Sequence, residues 1–171
     1  MNAAEDDGFA AFVAARATSL LRVAYLSCGD EGEAEDLLQT ALERAYRNWD
    51  RVRYDNPEPY VRRIIVNAAI NRARRRAILR MIPMHTPPEP SARETDVDLR
   101  HVLMETLRAL PPRQRAVVVL RYWEDLSETQ TAEVLGCSTG TVKSQASKAL
   151  AKLRAAIGGE SAEGVIRNVH A

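Results

Sequence analysis

The chain has 171 residues, 46% of them hydrophobic and 27% charged, a balance that folds into one ordinary domain or two small helical ones and excludes a disordered polymer. Aromatics are only 5%, which argues against a large β-sandwich core, and the two cysteines, Cys28 and Cys137, lie too far apart for a disulfide scaffold or a Cys-based zinc site. The net charge of +1 conceals segregation: nine acids against two bases over 1–43, seven arginines and no acid over 60–80, and Lys143, Lys148, Lys152 and Arg154 with no acid over 139–154.

The acidic amino terminus is unlike a signal peptide, and uncharged apolar stretches such as Ile64 to Asn71 are far too short to span a bilayer. These features, with reduced thiols, point to a cytoplasmic protein. Phe9, Phe12, Val13, Leu20, Leu21, Val23 and Ala24 predict an opening helix closed by Gly29. In the next segment Leu37, Leu38, Ala41, Leu42, Ala45 and Trp49 share one helical face, and Asp36, Gln39, Thr40, Glu43, Arg44 and Arg47 the other. The loop Tyr54 to Glu58 precedes a helix that starts near Pro59 and ends near Met81, because Pro83 stops it.

That helix has a predicted buried stripe of Val61, Ile64, Ile65 and Ala68. A polar row of Arg63, Asn67, Asn71 and Arg74 runs beside it. Asparagine is a weak helix former, so two in one row ask for a reason. Amides can read base edges and arginines can hold phosphates, while a solvated basic face is the plainer alternative. Among nearby aromatics, Trp49 has core spacing, whereas Tyr54 in the loop is the better candidate for stacking on an unpaired base.

Half of the prolines fall between Pro83 and Pro90, which predicts an extended linker. Helices resume with Leu99, Val102, Leu103, Thr106, Leu107 and Leu110, break at Pro111 and Pro112, and continue through RQRAVVVLRYW. A strand competes only at Val117 to Val119.

From Leu126 to Lys148 the spacing is that of a helix-turn-helix. Ser127 and Gln130 form a capping box, Ala132 is small at the helix crossing, Gly136 permits the tight turn, and Leu135 and Val142 fill the core. This leaves Thr139, Thr141, Lys143, Ser144, Ser147 and Lys148 outside, a set suited to the major groove. His85, His101 and His170 are isolated and no phosphate loop or nucleophile elbow occurs, so neither an enzyme, a metal site nor a cofactor is expected.

In this order, EAEDLLQTALERAYRNW, PYVRRIIVNAAINRARRR, LPPRQRAVVVLRYWEDLS and TAEVLGCSTGTVKS resemble an extracytoplasmic-function (ECF) sigma factor, particularly the actinobacterial SigE-like group, over roughly residues 8 to 157. The resemblance implies an all-α fold of two small domains joined by a flexible Pro-rich linker: sigma-2 at 1–81, linker at 82–97, sigma-4 at 98–157, and a tail at 158–171. It implies that Asp36, Gln39, Thr40, Glu43 and Arg44 contact core RNA polymerase. Tyr54, Arg63, Asn67, Asn71 and Arg74 would serve the minus-ten element, and Thr141, Lys143, Ser144, Ser147 and Lys148 the minus-thirty-five element. The implied partners are core RNA polymerase (β′ clamp helices and β flap), promoter DNA and an anti-sigma factor. Two other readings compete. One is a stand-alone LuxR/FixJ-type regulator, which uses a similar helix-turn-helix, and the other is a helical adaptor.

Overall fold

The computed structural model describes residues 3–80 and 99–157 together with Gly164 and Ile166. The proline-rich segment predicted as a linker lies outside the described residues, as does most of the predicted tail. Every described element is a helix. They are α1 (Ala3–Cys28), α2 (Glu31–Arg47), the short α3 (Trp49–Val52), α4 (Pro57–Arg80), α5 (Leu99–Ala109), α6 (Pro112–Val118), α7 (Glu128–Leu135) and α8 (Thr139–Ala156). The Val117 to Val119 run is helical, and the chain passes from α6 into a π-helical turn over Val119–Trp123. Burial on all sides, with Val117, Val118, Val119 and Leu120 at 1% exposure or less, overrides the β preference of that run.

Helices α1, α2 and α4 form the first bundle. Gly29 ends α1 at φ +80°, and the Asp30 side chain accepts from the Glu33 amide to start α2. The buried side of α2 is Ala34, Leu37, Ala41 and Ala45, with Leu38 and Leu42 only half covered. Helix α4 begins two residues earlier than predicted. Asn56 Oδ1 accepts from the Glu58 amide, so Pro57 takes the first helical position, where its missing N–H costs nothing. Its buried stripe is Val61, Ile65, Val66 and Ala69, rotated from the predicted one, and leaves Ile64 and Ala68 half exposed.

By length and composition alone the Asp7–Cys28 stretch of α1 is long and apolar enough to cross a bilayer. Here Leu20, Val23, Ala24 and Leu26 are buried in the bundle, and Phe9 and Phe12 pack on the ring of Trp49 at 5.1 and 5.6 Å. Burying each such leucine is worth about 2 kcal/mol.

The second bundle packs α5, α6 and α7 around α8, with Leu103, Leu107, Leu120 and Leu153 nearly inaccessible. Ser127 and Gln130 cap α7 reciprocally, Gly136 closes it at φ +61°, and Ser138 caps α8. In the predicted tail, Ile166 is helical and 3% exposed, so that side chain belongs to the core.

The halves are packed together, α4 against α6 and α7, and α1 against α5 and α6. Arg115 of α6 is the main polar tie. It is 8% exposed, and its guanidinium donates to Ser27 O and Cys28 O, the last carbonyls of α1, and to Arg108 O and Leu110 O at the end of α5. One side chain thus satisfies orphan carbonyls on two helix ends from different halves. Burial pulls its basicity below the ordinary arginine value. Arg108 reaches the Tyr25 hydroxyl at 3.0 Å, and Arg62 of α4 pairs with Glu124.

Candidate nucleic-acid interface

On an α-helix neighbouring residues point about 100° apart, so a row at i and i+4 stays on one side. The exposed part of α2 accordingly has two sides, and the packing of α1 and α4 turns them into two grooves of opposite chemistry. Leu38, Gln39, Leu42 and Glu43 face α1 across an apolar groove of about 460 Å³, whose only charged lining residues are Glu35 and Glu43. Thr40 and Arg44 face α4 across a second groove of about 510 Å³. The five residues predicted to touch polymerase are therefore divided: Gln39 and Glu43 lie on the α1 side, Thr40 and Arg44 on the α4 side. Asp36 is drawn toward Arg72, 3.9 Å away, beside a cavity between the halves.

The α4 wall of the second groove carries Arg63, Asn67, Asn71, Arg72 and Arg75. The predicted row of Arg63, Asn67 and Asn71 is thus brought together on one surface. Arg74 is exposed but lies outside this groove, where Arg75 stands instead. One residue of difference decides this, because Asn71 to Arg75 is four positions and keeps the row straight. With Arg44, four guanidiniums line the groove and no carboxylate does. Such a wall concentrates positive potential and suits a polyanion.

Asn67 is already engaged. Its Nδ2 donates to Arg63 O one turn back and to Val134 O of α7, each at 2.9 Å. Part of the reason for an asparagine at this position is a bond to the other half, which the sequence does not announce. Tyr54 stands 79% exposed, with the Arg53 guanidinium 4.7 Å above its ring. Tyr60, one of the aromatics clustered just before this helix but ranked behind Tyr54 in the sequence reading, lines the groove itself. Its position at the first turn of α4, one turn before Arg63 and Ile64, was the available signal.

In the second half, α8 presents Thr139, Lys143, Ser144, Ser147 and Lys148 to solvent, as predicted. Thr141 is half buried, and its hydroxyl lies 2.9 Å from Ser138 Oγ in the cap of α8. It shapes the turn rather than standing on the outer face. Lys143 lies 3.5 Å from Glu128, and with 66% of the lysine side chain exposed that pair is weak.

Comparison with known proteins identifies the family. The sequence pattern of "Sigma-70 region 2" matches residues 12–78, and that of "Sigma-70, region 4" matches residues 100–153. The chain is 41% identical over 149 residues to an RNA polymerase sigma-E factor of Streptomyces coelicolor, covering 85% of this chain and 84% of that one. It is 34% identical to the ECF RNA polymerase sigma factor SigM of Mycobacterium tuberculosis, over 81% of this chain and 71% of the relative. In fold it resembles the Bartonella quintana sigma factor RpoE, solved in complex with the anti-sigma factor NepR, with a TM-score of 0.70 at 22% identity over 89% of this chain and 98% of that one. Relatives of that kind match both halves in one chain, which a stand-alone helix-turn-helix regulator does not explain. The chain belongs to the sigma-70 family of RNA polymerase sigma factors, in the ECF branch and of SigE-like type, and directs promoter-specific initiation of transcription.

Proposed function

We propose that the two halves divide promoter recognition between them, with sigma-2 at 1–81 and sigma-4 at 98–157. The α1-facing side of α2, with Gln39 and Glu43 flanking the apolar groove, docks on the β′ clamp helices of core polymerase, and sigma-4 rests on the β flap. The groove between α2 and α4 takes the minus-ten element through Arg63, Asn67 and Asn71. Its arginine-only charge is the observation that carries the reading. Tyr54, exposed beside the start of α4, is placed to stack on an unpaired base, and Arg74 to meet phosphate outside the groove. On α8, Lys143, Ser144, Ser147 and Lys148 enter the major groove of the minus-thirty-five element, with Thr141 setting the turn.

In the closed arrangement the Asn67 amide is occupied by Val134 O, so reading the minus-ten element requires α7 to leave α4. That bond contributes about 1 kcal/mol, and parting the halves also breaks the Arg115 and Arg62–Glu124 ties, so binding to polymerase has to offset the sum. Each half alone has only a modest basic patch, and tethering both to polymerase makes the second binding step intramolecular. The work is that of a cytoplasmic, non-enzymatic factor. An anti-sigma factor that favours the closed arrangement is a fitting partner, and the Bartonella protein was solved in complex with an anti-sigma factor, NepR.

The test is transcription with purified core polymerase on sheared genomic DNA, mapping RNA 5′ ends, followed by base changes in each shared upstream motif. Asn67→Ala should relax discrimination only at the minus-ten motif, and Lys143→Ala only at the minus-thirty-five motif. Loss of discrimination at both motifs from either change would overturn the division.

A further inference from the structure

We infer that Thr40 and Arg44 of α2 belong to the nucleic-acid groove and hold the backbone of the unpaired minus-ten strand, and that they are not part of the polymerase contact. The inference rests on the assignment of α4 to the minus-ten element and extends it to a second helix.

Three observations carry it. The first is angular: Gln39 and Thr40 are successive residues, so the rows that continue to Glu43 and Arg44 diverge by about 100°. A rod-like partner lying along the α1 side of α2 covers the first row and leaves the second open. The structure shows that divergence directly, with Gln39 and Glu43 lining one groove and Thr40 and Arg44 the other.

The second is charge. The α1-side groove holds two carboxylates and no base, and the α4-side groove holds four arginines and no carboxylate. A surface that complements the first repels or ignores the second. Arg44 faces Arg63 and Arg75 across the groove, an arrangement that a polyanion between them relieves.

The third is shape. Thr40 and Arg44 form the wall opposite Asn67 and Asn71, so a strand whose bases meet the amides turns its phosphates toward α2. Tyr60 lines the same groove. A guanidinium and a short hydroxyl one helical turn apart suit phosphate oxygens, the first through charge and paired donors and the second through a single hydrogen bond. Arg44 is fully on the surface and Thr40 half buried, so both are accessible without rearranging the bundle.

The test separates two affinities in Arg44→Gln and Thr40→Val. Affinity for core polymerase is read by fluorescence anisotropy of the labelled full chain. Affinity of the assembled holoenzyme is read on a promoter fragment, taken from a mapped start site, whose minus-ten strand is left unpaired. For Arg44→Gln we expect core affinity within twofold of the parent. Promoter affinity should fall about fivefold to tenfold, and the slope of its logarithm against log salt should lessen by about 0.7, the value for one fewer phosphate neutralised on a single strand. Thr40→Val should lower promoter affinity about threefold with the salt slope unchanged. Arg44→Lys, which keeps the charge, should keep the slope and serves as the control for folding.

Core affinity falling tenfold, with promoter binding by saturated holoenzyme unchanged, would return both residues to the polymerase contact and overturn the inference. Asn67→Ala is measured alongside. If it weakens binding to the unpaired strand while Arg44→Gln does not, the inference fails and the α4 assignment stands. If neither weakens it, the α4 assignment itself fails.

Discussion

The side-chain amide of Asn67 donates to the main-chain oxygen of Val134 at 2.9 Å, across 67 residues of sequence. A residue of the candidate minus-ten surface is therefore bonded to the first helix of the helix-turn-helix. The same amide nitrogen also bonds Arg63 O, so both of its hydrogens are committed and only Oδ1 is left. Free for neighbouring α4 residues but closed at Asn67, the surface cannot be fully used until the halves part.

Asn67→Asp puts a carboxylate oxygen against the Val134 carbonyl and removes both donors. The expected outcome is a looser junction, visible as faster amide exchange in α4 and α7, with global stability lowered by about 1–2 kcal/mol. Hydrogen–deuterium exchange and chemical denaturation check the two parts. Unchanged exchange in α7 would show that this bond does not hold the helices together.

Arg115→Met removes a buried guanidinium from four carbonyls. Charge-assisted bonds of this kind contribute about 1.5–3 kcal/mol each and do not add, so a total loss of about 3–5 kcal/mol is expected in urea unfolding. Arg115→Lys keeps the charge but lacks the planar fork, and should recover less than half of that loss. Equal stability of the lysine variant and the parent would mean that charge, not geometry, ties the two helix ends.

Gly136→Ala isolates backbone conformation. The glycine has φ +61° and a Cβ built there meets nothing within 4 Å, so the cost is that of the left-handed region alone, about 1–2 kcal/mol. Thermal unfolding should register it as a drop of a few degrees. A larger loss would reveal a steric conflict that the geometry does not contain.

Lys143→Ala and Lys148→Ala should leave stability within about 0.5 kcal/mol, since both side chains are exposed and the Lys143–Glu128 pair is weak. Duplex promoter binding by the holoenzyme should weaken, with the salt slope reduced by about 0.9 for each phosphate that is no longer neutralised. A destabilised protein with unchanged slope would place these lysines in the fold and not at DNA.

Burial pushes the Cys28 thiol above its ordinary value, partly opposed by the backbone of Asp30. The folded state therefore holds this proton more tightly than the unfolded chain does. Its contribution to stability is present below the unfolded thiol value and is lost as pH rises through the higher folded one. Alkylation by iodoacetamide at pH 8 should be slower than in the urea-denatured chain, and the difference should narrow at higher pH. Equal rates in the two states would show a thiol that burial does not protect.

The local half of this structure was legible from the chain itself. Apolar period placed the helices, Gly29 and Gly136 ended α1 and α7, and Ser127 with Gln130 announced α7, because each of these depends on residues within about one turn. The outer face of α8 followed for the same reason, as did the alignment of Arg63, Asn67 and Asn71.

What the tertiary structure decided depends on which neighbour each helix side meets. A periodic pattern tells that α2 has a polar arc, but only the positions of α1 and α4 divide that arc into an acidic apolar groove and a basic one. The same dependence rotates the buried stripe of α4, exchanges Arg74 for Arg75, and brings Tyr60 into the groove. It also draws Ile166 from the predicted tail into the core. Nothing in the sequence marks Arg115, which becomes the tie between halves because α1 and α5 end beside it with carbonyls that it satisfies. Local propensity is set by covalent neighbours and is written in order along the chain. Desolvation, charge complementarity and the satisfaction of helix ends are set by residues that only packing makes adjacent.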